Sequence, residues 1–184
     1  MSSLQRHFLI AMPSLEDPNF DGTVTYLCKH DADGAFGLVV NRPLDMQAAE
    51  VFEQLDLEIV DSAQAERPVL GGGPVQPSLG FVLHQSPASF ESTLDADADI
   101  KVTISRDILQ SMAGGRGPSP AVITLGYAGW DAGQLETELA ANAWLSVPAD
   151  PTIIFDTPVE QRWAAAAGLL GVDISQLTNY AGHA

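Results

Sequence analysis

The chain has 184 residues, 46% of them hydrophobic and 17% charged, enough apolar material for one packed domain and unlike a disordered composition. Its 24 Asp and Glu outnumber its 8 Lys and Arg, for a formal charge of −16. The basic residues are scattered singly, which argues against autonomous binding to nucleic acid or to an anionic membrane surface, since both draw affinity from clustered Lys and Arg. No apolar run approaches the ~20 residues of a membrane helix, and the short apolar patch near the N-terminus is broken by Pro13 and followed by acids. The one cysteine, Cys28, leaves no internal disulfide to form. These features together predict a cytoplasmic protein.

In chain order, "HFLIAM" (7–12) reads as a short buried strand. "TVTYLCKH" (23–30) alternates, which predicts a strand with Val24, Tyr26, Cys28 and His30 on one face. Asp33-Gly34 then leads into the apolar run "FGLVV" (36–40), a hairpin signal. "NRPLD" breaks the strand, and a helix is expected at about 46–55, with Asp45 as N-cap and Val51, Phe52 and Leu55 along one side. Residues 66–80 are rich in Gly and Pro and read as irregular. Strands are expected at 80–85 and 100–105, joined by an acidic loop. A helix over 106–113 stops at Gly114-Gly115, and "AVITLGY" (121–127) reads as a further strand.

Asp131 and Gln134 have the spacing of a capping box, with Trp130 and Leu135 as a hydrophobic staple; Leu135, Leu139 and Ala143 share a face beyond them. "TIIF" (152–155) reads as a strand. Thr157, Pro158 and Glu160 then stand as N-cap, N1 and N3 of a helix that turns Val159, Trp163 and Leu170 inward and ends at Gly171. Asp173 and Gln176 suit the start of a last short helix. Strands mostly in hairpins, with helices inserted between them, predict a single α+β domain.

Motifs for chemistry are weak. "GGGPV" (71–75) lacks the Lys-Ser/Thr of a phosphate loop, and neither it nor "GYAGW" (126–130) fits a dinucleotide fingerprint. A hydrolase elbow needs a serine where "GYAGW" has Ala128. Asp95, Asp97 and Asp99 have calcium-loop spacing, but Ile100 and Arg106 replace the required Gly and Glu. The four histidines show no zinc spacing. The sequence therefore predicts neither a metal nor a cofactor.

Two constellations remain. An imidazolium at His30 beside Cys28 would lower the thiol pKa and make a nucleophilic or redox-sensitive thiolate; the plainer reading of Cys28 is a small buried hydrophobe. Asn41, Arg42, Tyr127, Trp130 and Asp156 stand at predicted strand ends. Should those ends meet, the five would line one cleft for a small molecule or protein partner. Otherwise Arg42 pairs locally and the aromatics pack.

The segments "HFLIAMP", "YLCKHDADGAFGLVVNRP", "GGPVQPSLGFVLH", "GYAGWDAGQLETELAANAWL", "FDTPVEQRW" and the terminal "GHA" run in this order through nearly the whole chain. In them the sequence resembles the AlgH/YqgE family of bacterial proteins. The resemblance implies an α+β fold whose bifurcated sheet curls into a pseudo-barrel with flanking helices. It implies no reaction. One branch of the family is described as a transcriptional regulator of alginate biosynthesis, a role that the charge of this chain makes compatible with indirect action rather than with direct contact to DNA.

Overall fold

The computed structural model describes residues 2–85, 90–94 and 98–171. Its strands are β1 (His7–Ala11), β2 (Val24–Asp31), β3 (Gly34–Val39), β4 (Pro43–Gln47), β5 (Pro68–Gly71), β6 (Val75–His84), β7 (Thr93–Leu94), β8 (Lys101–Thr103), β9 (Ala121–Asp131) and β10 (Trp144–Pro148). The helices are short: α1 (Ala48–Gln54), α2 (Ser62–Ala65), α3 (Arg106–Ala113), α4 (Gln134–Ala140), α5 (Pro151–Phe155) and α6 (Arg162–Gly168), the last entered through a 3-10 turn at Val159–Gln161.

The main sheet runs β10-β1-β2-β3-β9-β6-β8-β7, antiparallel throughout. It curls into an open half-barrel. β9 is its hub. One edge of β9 is taken by β6. The other is divided: its start pairs in parallel with β5 and its end antiparallel with β3. That division is the bifurcation.

Glycines make the fork possible. Gly126 has φ +80°, and a Cβ on Gly72 would collide with its carbonyl oxygen. A Cβ on Gly73, at φ +152°, would strike the backbone of Tyr127 and Ala128. "GGGPV" and "GYAGW" thus meet each other, backbone against backbone. The kink at Gly126 also breaks alternation: Val122 and Tyr127 pack into the same cluster although five residues apart.

Three apolar clusters follow from the pleat. The hollow of the half-barrel holds Phe8, Tyr26, Leu38, Phe81 and Leu83, closed by α5 and α6 through Ile154 and Ala166. Outside β6 and β9, Val82 and Ile123 pack under α1, α2 and α3, against Phe52, Ile108 and Met112. Outside β1, β2 and β9, Leu9, Leu27 and Ala128 pack with Trp130, Trp144 and Leu135 of α4.

Several sequence expectations change. β10 and β5 were not anticipated, and β6 begins inside the stretch read as irregular. The helix expected from 46 starts at Ala48, because 43–47 pair with β5; its cap is Gln47 with Glu50, not Asp45. "TIIF" is helical, not extended: Asp150 accepts the Thr152 N–H at 3.0 Å and Pro151 occupies N1, so the cap outweighs the β-branched pair. Thr157 accordingly closes α5, its hydroxyl donating to the Thr152 carbonyl, and Pro158 precedes the 3-10 turn. α6 ends at Gly168, which leaves Leu170 exposed rather than inward. Asp131 ends β9; the N-cap of α4 is Gly133, and Gln134 accepts the Asp131 N–H. Asp95, Asp97, Asp173 and Gln176 lie outside the described residues.

Candidate functional site

The hairpin of β2 and β3 forms as expected, but a bulge between Leu27 and Lys29 inserts one extra residue. Downstream of the bulge every side chain changes face. Cys28 therefore joins Tyr26 in the hollow, while His30 turns outward. There its Nδ1 accepts the Leu4 N–H at 2.8 Å, and Nε2 meets the Glu136 carboxylate of α4 at 2.6 Å. That bond to His30 draws the Glu136 carboxyl below its usual range. The shared face predicted for Cys28 and His30 is thus not found. Cys28 is 5% exposed and takes part in no disulfide.

The five strand-end residues do not gather. Asn41 accepts the Val24 N–H at 2.8 Å and donates to the Gly22 carbonyl, while Arg42 donates to the carbonyls of Asn19 and Asp21. Both brace the loop between β1 and β2. They do line a hollow of about 360 Å³ with Pro74 and Leu44, away from the other three. Tyr127 packs edge-on against Phe36 and Phe81 inside the half-barrel. Trp130 faces the opposite side of β9, in a triad with Phe20 and Trp144. Both indole N–H groups donate to the Glu138 carboxylate, at 2.7 and 3.1 Å. Asp156 follows helix α5, not a strand.

One opening lies where no motif pointed. A groove of about 510 Å³ runs between α1 and α3 over β6 and β9. Val82, Ile123 and Leu125 form its floor; Val51, Leu55 and Leu109 form its sides. At the rim Leu79 and Ile104 are 38% and 45% exposed. Arg106 crosses one end, donating to the Leu55 carbonyl. The volume falls within the range of small-molecule sites, and the lining has their apolar character. The only sequence signal was the apolar stripe of α1, which a fully covered helix would share.

Beneath the groove lies a pair that the sequence did not reveal. His84 Nε2 is 2.7 Å from the Thr103 hydroxyl, which also contacts Thr93. Burial, aided by the charge of Lys101, lowers the His84 pKa to about 4, so the ring is neutral at physiological pH. A hydroxyl held against a neutral imidazole is the geometry of a nucleophile and its base. Here, however, both residues are 0% exposed and His84 Nδ1 has no orienting partner among the described residues. The pair staples β6 to β8. Among the described residues no group of three or more His, Cys, Asp or Glu side chains is placed to hold a metal ion, and no helix is long and apolar enough to cross a membrane.

Comparison with known proteins decides the kinship. The AlgH-like family model matches residues 8–175. The chain belongs to the AlgH-like family. Its sequence is 54% identical over 183 residues to a UPF0301 protein of Saccharophagus degradans, covering 99% of this chain and 89% of that protein. It is 50% identical over 182 residues to a UPF0301 protein of Ralstonia nicotianae, covering 99% and 96%. The solution structure of the AlgH protein from Pseudomonas aeruginosa superposes with a TM-score of 0.81 at 52% identity, covering 100% of this chain and 97% of that one. A Corynebacterium diphtheriae crystal structure shares the fold alone, with a TM-score of 0.69 at 20% identity over 90% and 85%. The fold is thus shared with solved structures at 52% and at 20% identity.

Proposed function

We propose that this AlgH-like protein is a non-catalytic, cytoplasmic ligand-binding protein, and that its ligand is a small molecule with an apolar body seated between α1 and α3. The observation that carries this reading is the groove itself: about 510 Å³, with exposed Leu79 and Ile104 at its mouth. Thiol catalysis is disfavoured by the separation of Cys28 from His30 across the sheet. The regulatory role implied for one branch of the family is then exerted through the ligand-bound state, because a chain of charge −16 is a poor partner for DNA phosphates.

Titration with N-phenyl-1-naphthylamine, a neutral fluorescent apolar probe, tests the reading. Saturable enhancement at one site is expected, and Ile104→Asp or Leu79→Asp should abolish it without unfolding the protein. A probe response that ignores both substitutions overturns the groove as the site. Substrate turnover that disappears in Cys28→Ala overturns the non-catalytic reading.

A further inference from the structure

The chain carries only eight Lys and Arg against 24 acids. Two of these eight, Arg67 and Arg162, line one cavity of about 320 Å³ between β5, β9 and α5, away from the groove. Among the described residues its lining contains no Asp or Glu.

Arg162 is 7% exposed. Its Nε donates to the Thr157 carbonyl at 2.9 Å and its Nη1 to the Val40 carbonyl at 2.6 Å. Arg67 donates to the Ala121 carbonyl at 3.0 Å and to the Ser119 hydroxyl. All of these acceptors are neutral. Neither guanidinium has an ion-pair partner among the described residues. Glu160 favours the charged form of Arg162, but it is exposed and outside the lining.

A guanidinium stays protonated in a protein. A buried cation without an opposite charge is costly, and a second cation on the same cavity adds repulsion. An anion between the two removes both penalties. The planar fork of Arg suits the oxygen pair of a carboxylate or phosphate. The remaining walls are apolar: Leu70, Val122, Ile154, Phe155 and Val159. The volume is at the small end for ligand sites.

We infer that this cavity is an anion site, in which Arg67 and Arg162 hold the carboxylate or phosphate head of a small organic acid and the walls hold a body of about one ring. It is separate from the groove and does not depend on it.

Isothermal titration of the full chain at low ionic strength with benzoate, phenyl phosphate, inorganic phosphate and benzyl alcohol tests the assignment. At least one of the two aryl anions should bind tenfold or more tighter than neutral benzyl alcohol and than inorganic phosphate; the tighter of the two identifies the head group. Arg67→Gln should weaken that binding at least tenfold. Val159→Asp, which supplies a resident carboxylate at the cavity wall, should abolish it in a protein that still folds. Ile104→Asp in the groove should leave it unchanged. No heat from either aryl anion, equal binding of benzyl alcohol, or wild-type affinity in Arg67→Gln would overturn the site.

Discussion

The corner built from β9, β10 and α4 and the groove between α1 and α3 are both lined by large apolar side chains, but their exposed valences differ. At the corner Trp130 and Trp144 are 6% and 3% exposed, their rings lie 6.0 Å apart, and both indole donors end on Glu138. Gln134 donates to the same carboxylate at 3.3 Å. Both indole donors are thus already spent within the fold. In the groove, Leu79 and Ile104 stand open above a floor of aliphatic side chains. Two tryptophans beside glycines and an aspartate look more like a site than leucines and isoleucines do. Binding capacity, however, follows the surface still unpartnered after folding, not the chemical variety of the residues.

The sharpest way to break this contrast is Trp130→Ala. Removing a buried indole should cost about 3–5 kcal/mol in denaturant unfolding, with apolar-probe binding in the groove unaltered. Loss of the probe site in a folded Trp130→Ala protein would show that the two regions are one.

Acid provides the next largest effect, from beneath the groove. His84 has a pKa near 4 in the folded chain against 6.5 for the ordinary side chain. The unfolded state therefore binds more protons between these values. Stability from this group is full above pH 6.5, falls as pH drops from 6.5 to about 4, and amounts to about 3 kcal/mol. The depressed carboxyls of Asp31, Asp107 and Glu136 lose their contributions as pH falls below their ordinary values of 3.8, 3.8 and 4.5, so only Glu136 overlaps the foot of the His84 window. Unfolding free energy measured across pH 4–7 should show the slope, and His84→Gln should flatten it.

Glu138→Gln should cost about 1–2 kcal/mol, since two indole donors exchange a carboxylate for one amide oxygen. The smallest stability change belongs to Ile104→Asp, within about 0.5 kcal/mol because the side chain is already half in water, although it removes probe binding. Alkylation of Cys28 in the native protein should be slow and should accelerate only as the half-barrel opens.

Much of the architecture was legible from local signals. Asp33-Gly34 marked the hairpin, Gly114-Gly115 marked the end of α3, and the segments shared with the AlgH-like family implied the forked sheet. What escaped was set by long-range pairing or by backbone kinks. β10 was missed because the helical face was read through Ala143, past Asn142, whose φ of +60° closes the turn after α4, and "WLSVP" becomes a strand only by pairing with β1. "TIIF" has strand composition, yet Asp150 and Pro151 start a helix. Period-two alternation placed Cys28 beside His30, and one inserted residue separated them. The groove and the arginine cavity were illegible for another reason. Each is assembled from segments far apart in the chain, such as Arg67 and Arg162, and no local pattern encodes their meeting.

The pairing of His7↔Pro148 through Ala11↔Trp144 also bears on how the chain is made. β2 reaches the inner edge of β1 early in synthesis, but the outer edge has no partner until β10 emerges 137 residues after Ala11 (148 − 11). At 5–20 residues per second that interval is roughly 7–27 s. During it a strand carrying Phe8, Leu9 and Ile10, all 0% exposed in the finished fold, presents an unpaired edge. Such an edge is a template for misassociation between nascent chains. Chaperone dependence and yield in translation should therefore track the completion of β10, so that a chain truncated before Trp144 aggregates while the full-length protein folds.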